Sequence, residues 1–350
     1  QQYMAQSGRV ETSQSTFTLG LHVGISSGEL LLVRVSGRDR RHLLIRGELL
    51  ESLCAAEEAS VAGEVVVSDQ TVHLLDKDAS VSPCSGSSSL YRLTGLSGEA
   101  RTWEEPEFEL SIEDDILPAL LCYLPHQIRK RIEIGSQDGE HRPVAILFAG
   151  YRDTDAAIDS HRLDTLFEAI DSCVETFGGT LVRDDFTQSG PRFLVLFGAP
   201  QALEDAAFQA VQCALNLHEQ TPDSVQLRVA VSYGQVFAGE VGADSRKEYT
   251  VIGDAINLAA RLTARARASE ILVDSAVHER IHDRVDSETC DPILAKGIET
   301  PVETFRILNV IRAAEPSTGL TPLIGRDAEM GQMRDTLQKA IGGDGQIVTV

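Results

Sequence analysis

The sequence predicts an α+β protein of ferredoxin type, with helices packed over a largely antiparallel sheet and the same unit occurring twice. Strand-like and amphipathic runs alternate between Pro143 and Val310. In order they are VAILFAGY, a helix from about Asp155 to Phe177, GTLVRDDF, RFLVLFG, a helix from about Ala202 to Gln220, and the hairpin LRVAVSYGQVFAGEVG. Hairpin-paired strands mixed with crossover helices point to α+β rather than to a parallel sheet. The second observation is a repeat. LGLHVGISSGELL resembles QLRVAVSYGQVFA, and LLIRGELLESLCAAEEASVAGEVVVS resembles YTVIGDAINLAARLTARARASEILVD. Positions 227 minus 21, 253 minus 47 and 270 minus 64 each give 206, so one register runs through the match without insertion.

The repeat divides the chain. Residues 143–310 hold the complete copy, and residues 1–98 hold only the C-terminal half of the other. Residues 99–142 read as an acidic linker and a short helix at 116–135. Glu99 to Asp115 carries eight acidic residues in seventeen. Residues 311–321 are a linker, and 322–350 open a further domain as a helix followed by a buried strand. The initial Gln-Gln and the final GQIVTV, which has mid-strand character, read as cut ends of a longer chain.

Composition removes several classes of function. A formal charge of −22 argues against a nucleic-acid partner, which would need a basic face. Any anionic ligand must then be met by locally placed cations. The six cysteines are scattered, with no CxxC pair and no histidine at metal spacing, so neither a disulfide framework nor a zinc site is indicated. A reducing, cytoplasmic location fits. No apolar run approaches the ~18 residues of a membrane span.

The stretch EYTVIGDAINLAARL, Glu248 to Leu262, concentrates polar chemistry on an otherwise small and apolar helix. Asn257 and Arg261 are spaced i, i+4 and share one face. Thr250 lies on the strand just before the Gly-Asp turn. A fork of guanidinium donors beside an amide and a hydroxyl suits a phosphate or a purine edge. The same residues also serve ordinary helices as an ion pair and a cap, and both readings stand at this point.

EYTVIG followed by INLAAR, together with the duplication, resembles the class III nucleotidyl cyclases, and within them the soluble adenylyl cyclases. The resemblance implies two cyclase-homology domains in tandem, the first truncated here, with an active site between them. One face supplies two aspartates for two Mg²⁺ or Mn²⁺ ions. The other supplies purine recognition and an Asn and Arg for the transition state. The reaction implied is attack of the ribose 3′-hydroxyl of ATP on the α-phosphorus, giving cyclic AMP and pyrophosphate. By the same resemblance Thr250 contacts the purine, Arg183 sits near a purine-reading lysine position, and Asn257 and Arg261 hold the transition-state positions.

The resemblance also exposes losses. Gly150 stands in place of the first metal aspartate and Pro191 in place of the second, and neither ligates a metal through a side chain. Asp153, Asp155, Asp184 and Asp185 lie nearby as weak substitutes. At the repeat offset Asn257 corresponds to Glu51, Arg261 to Ala55 and Thr250 to Leu44, so the first copy has no transition-state pair. Its metal ligands are expected upstream of residue 1. His22 takes the place of a lysine directed at the triphosphate. The family's second site binds bicarbonate through a lysine and an arginine of the first domain, and that arginine position is Cys54 here.

Two degenerate halves that complement each other imply an adenylyl cyclase in the intact parent, with an inactive fragment. A rival reading makes both copies a pseudo-cyclase platform that senses nucleotides for a neighbouring ATPase. A guanylyl cyclase is a weaker third reading, against which Thr250 argues. The tail PLIGRDAEM…GDGQIVTV resembles the entry to a STAND/AAA-type P-loop ATPase.

Overall fold

The run Val144–Ala149 presents no polar residue to either face, and the chain buries all six positions to within 1% of full burial. A strand covered on both faces needs a layer on each side. In the computed structural model that strand is β9 (Glu140–Asp153), the third strand of the main sheet. The structure describes residues 8–11, 16–97, 116–135, 139–153, 160–222, 224–243, 246–293, 301–311, 327–342 and 345. The acidic stretch Glu99–Asp115, the Asp155 end of the first expected helix and the final QIVTV lie outside them.

β9 belongs to an eight-stranded sheet with β10 (Gly179–Thr187), β11 (Gly190–Phe197), β12 (Val225–Ala243), β13 (Arg246–Ile252), β14 (Ile271–Asp274), β15 (Val285–Ile293) and β16 (Val302–Val310). The order is β10-β11-β9-β12-β14-β16-β15, with β13 paired to β12. The described β12–β14 ladder is parallel; β12 pairs antiparallel with β9 and β13, and β14 with β16. Along β9 the even positions Val144, Ile146 and Phe148 join Ala255 and Ala259 in one apolar cluster. Those alanines belong to a helix at Asp254–Arg265. On the odd side, Tyr151 meets Phe167 edge-on at 6.2 Å, from a helix at Ser160–Thr176.

The N-terminal segment repeats the second half of this arrangement. Its strands are β3 (Val23–Ile25), β4 (Leu31–Ser36), β5 (Arg41–Arg46), β6 (Val65–Ser68), β7 (Ala79–Pro83) and β8 (Leu90–Leu96), after a small ribbon of β1 (Arg9–Glu11) and β2 (Thr16–Thr18). Helices α1 (Glu48–Glu58) and α2 (Asp69–Leu75) lie between them. The order β3-β6-β8-β7 mirrors β12-β14-β16-β15. Val23 pairs with Val65 as Val229 pairs with Ile271, and Leu31 pairs with Arg46 as Phe237 pairs with Ile252. Every one of these positions is displaced by 206. Gly47 precedes α1 at φ +130°, where an added Cβ would lie 3.0 Å from the Glu29 carbonyl oxygen. Glycine is therefore required at that turn.

One capping contact is also duplicated. Ser68 accepts from the Thr71 amide and receives the Ser26 hydroxyl at 3.1 Å. At the offset, Asp274 accepts from the Val277 amide at 2.8 Å and from the Ser232 hydroxyl. The charged version is the more buried. Asp274→Ala removes the cap and strands the Ser232 hydroxyl, which should cost about 2–4 kcal/mol, against about 1 for Ser68→Ala. Urea unfolding of the two variants measures the difference.

Four sequence expectations shift. The run LRVAVSYGQVFAGEVG, expected as a hairpin, is the single long strand β12. Residues 116–135 form two helices, α3 (Ile116–Leu121) and α4 (His126–Ile134). Pro125 splits them, because it lacks an amide donor and forces Leu124 out of helical geometry. The main sheet begins at Glu140, since residues 140–142 pair with Val236–Ala238. The helix expected from Ala202 starts at Ala206, so the helices of the main segment are α5 (Ser160–Thr176), α6 (Ala206–Gln220), α7 (Asp254–Arg265) and α8 (Ser275–Ile281). Residues 1–309 form one compact unit and 310–350 another. The second contains α9 (Asp327–Ile341).

Candidate active site

α7 is built so that its polar pair faces outward. Ala255, Leu258, Ala259 and Leu262 bury one face, which leaves Asn257 exposed and Arg261 half-buried on another. Asp254 in the first turn complements the helix dipole. On β13, Tyr249 and Val251 enter the core, so the alternation turns Glu248 and Thr250 to the opposite face. Arg183 of β10 reaches that face. Its guanidinium lies 3.5 Å from Glu248 and 3.6 Å from Asp185. The structure thus sets Arg183 against the strand of Thr250, two positions away. Asn257 and Arg261 follow one turn and a short helix step later.

His22 does not join this group. Its Nδ1 bonds the Ser60 hydroxyl at 2.7 Å and its Nε2 lies 3.7 Å from Glu57, both at the C-terminal end of α1. It also precedes β3 rather than lying in a strand.

The corner around Gly150 and Pro191 is lined by other chemistry than metal ligands. Gly150 pairs across the sheet with Arg192 on one side and Arg228 on the other. Pro191 pairs with Phe186. Of the substitute carboxylates, Asp184 is committed to Arg46 at 3.0 Å and to the Tyr151 hydroxyl at 2.8 Å. Asp185 is committed to Arg192 at 3.1 Å and to Arg183. The side chains of Asp153 and Asp155 are outside the described residues. Among the described residues no three His, Cys, Asp or Glu side chains converge as a metal site. The residues present here do not fit a divalent ion.

Opposite that corner lies a buried polar seam that the sequence did not announce. The β4–β5 hairpin lies against α5 and α1 lies against β10. Arg46 donates to Asp184 and Tyr151, and His42 bonds Asp171 at 2.8 Å with Arg40 3.5 Å from the same carboxylate. Arg46, His42 and Asp171 are all buried. Burial raises the Asp184 carboxyl, against the pull of Arg46. Burial and the Asp184 charge push the Tyr151 hydroxyl well up. Cys54 places its sulfur 3.7 Å from the Phe186 carbonyl, and burial raises that thiol too. The available signal was β5 itself, whose alternate positions His42, Leu44 and Arg46 place two polar side chains on the buried stripe.

The family profile described as "Adenylate and Guanylate cyclase catalytic domain" matches residues 137–309. A mycobacterial adenylate cyclase (Mycobacterium bovis) is 28% identical over 328 residues, covering 86% of this chain and 72% of its own length. Human adenylate cyclase type 10 is 24% identical over 277 residues, covering 69% of this chain but only 17% of its own length. The crystal structure of the adenylyl cyclase CyaB from P. aeruginosa superposes on 50% of this chain and 98% of its own, at 23% identity and a TM-score of 0.44. Residues 137–309, just under half of the chain, are thus similar to the adenylate and guanylate cyclase catalytic domain.

Proposed function

We propose that the full-length protein is an adenylyl cyclase that converts ATP to cyclic AMP and pyrophosphate, with 143–310 supplying the purine and transition-state half of the site. The single observation that carries this reading is the outward face of α7, where Asn257 and Arg261 stand together beside the strand of Thr250. Thr250 and Arg183 read the adenine edge. Asn257 holds the ribose so that its 3′-hydroxyl faces the α-phosphorus, and Arg261 meets the negative charge that grows on the phosphoryl oxygens as the new bond forms. Two divalent ions, Mg²⁺ or Mn²⁺, are assigned to aspartates outside these 350 residues. They neutralise triphosphate charge when bound.

The N-terminal segment is proposed to be half of an equivalent domain that pairs intramolecularly with 143–310. Support comes from its exposed face: Leu32, Leu43 and Ile45 are exposed, whereas their counterparts Ala238, Tyr249 and Val251 are buried under β9 and β11. The edge of β3, equivalent to the edge of β12 that β9 occupies, has no described partner strand. The fit of His22 to a triphosphate is weak, since its ring is engaged with Ser60.

The test is nucleotide turnover by the full-length protein with Mn²⁺. Cyclic AMP from ATP, with GTP a poor substrate, is expected, and residues 1–350 alone should make none. A second reading has its own support. Gly150 and Pro191 leave this domain without metal chemistry, which fits a pseudo-cyclase that senses nucleotides for an adjoining ATPase. Folded full-length protein that binds ATP but turns over neither nucleotide would establish that reading instead.

A further inference from the structure

Gly150 stands in a row between two arginines, Arg192 on β11 and Arg228 on β12, which are its cross-strand partners on either side. Positions that pair across a sheet share a face. A side chain at position 150 would run into the second of them. Its Cβ would lie 2.5 Å from the Arg228 Nε and 3.2 Å from Nη2. The guanidinium therefore occupies the space through which a carboxylate at this position would project.

Among the described residues this corner gathers three arginines, Arg152, Arg192 and Arg228, with Asp185 paired to Arg192, in a chain that carries −22 overall. Arg228 donates to the Ser189 carbonyl. Burial lowers its pKa, and Arg152 and Arg192 lower it further. Among the described residues Arg192 has one carboxylate partner, Asp185, and its guanidinium also lies 4.5 Å over the Phe148 ring. A cavity of about 140 Å³ opens beside the cluster, lined by Arg152, Arg228, Ser189, Gln226 and Tyr151. That is room for one small anion. A half-buried guanidinium crowded by like charge gains more from an oxyanion than a solvated one does, because the anion offsets both desolvation and repulsion.

We propose that this corner is a metal-independent oxyanion site, in which Arg228 and Arg152 hold a phosphate-class anion where a class III domain would otherwise hold divalent ions. The ligand is inorganic phosphate, pyrophosphate or the terminal phosphate of a nucleotide, which share the same tetrahedral oxygens. The proposal is independent of turnover at the α7 face.

Calorimetric titration of the 350-residue chain in EDTA with phosphate, pyrophosphate and ATP tests it. Saturable binding of at least one is expected below about 10 mM, weakened about tenfold or more in Arg228→Gln and retained in part in Arg228→Lys. Phosphate binding alone identifies a free-anion site, and binding of pyrophosphate and ATP but not phosphate identifies a polyphosphate tail. Gly150→Asp should pair internally with Arg228 and abolish anion binding without acquiring a Mn²⁺ signal by electron paramagnetic resonance. Wild-type protein that binds none of the three, a folded Arg228→Gln that binds as wild type does, or a Gly150→Asp that gains Mn²⁺ while keeping the anion would overturn the proposal.

Discussion

Arg261→Ala in the full-length protein is expected to lower turnover of ATP by about a hundredfold or more, on the order of 3 kcal/mol of transition-state stabilisation. The loss should fall on kcat with little change in KM, because the guanidinium acts on charge that is absent from the ground state. Arg261→Lys should recover only part of it, since an ammonium cannot reproduce the planar fork. Asn257→Ala is expected to reduce turnover through the ribose, by a smaller factor. Neither change should unfold the protein. α7 is fixed by Ala255, Leu258, Ala259 and Leu262, and alanine is the most favourable residue for a helix surface. Cyclic AMP assays beside thermal unfolding separate the two effects. An Arg261→Ala protein with full turnover would remove this helix from the chemistry.

Legibility in the sequence followed the range of the interactions. The 206-residue repeat was readable because strand pairing, turns and caps are local. The same positions recur in register as Gly47 and Gly253, or Ser68 and Asp274, with pairing partners to match. The outward face of α7 was readable for the same reason, since 3.6-residue periodicity separates Asn257 and Arg261 from the buried alanines and leucines. His42, Asp171, Arg46 and Asp184 were not, because each pair bridges 129 or 138 residues and no periodicity links such positions. Arg228 was hidden differently. Its place beside Gly150 depends on the strand order β11-β9-β12, which local sequence does not specify. Asp184, considered from sequence as a spare metal ligand, is an internal counter-ion for that reason.

The Arg46–Asp184 pair should show an asymmetry between its two single mutants. Both side chains are nearly buried, at 9% and 12% exposure. Removing one partner of a buried pair strands the other charge at a cost of about 3–5 kcal/mol. Asp184→Ala leaves a guanidinium that has no accessible neutral form, so no change of pH between 4 and 8 relieves the stranded charge. Arg46→Met leaves a carboxyl that escapes by taking a proton. Burial already raises Asp184 in the intact protein, and loss of the opposing cation raises it further. A carboxyl whose folded pKa lies above its unfolded one contributes stability below the unfolded pKa and loses it as pH rises through the folded pKa. Arg46→Met should therefore approach wild-type stability near pH 4 and weaken towards neutrality. The double variant Arg46→Met with Asp184→Leu carries no stranded charge. It should recover most of the loss at all pH values, leaving the Tyr151 hydroxyl as the remaining unpaired group. Urea unfolding of the four proteins at about pH 4.5 and 7.5 measures the cycle. Equal, pH-independent losses in both single mutants would mean that water reaches this seam and screens it.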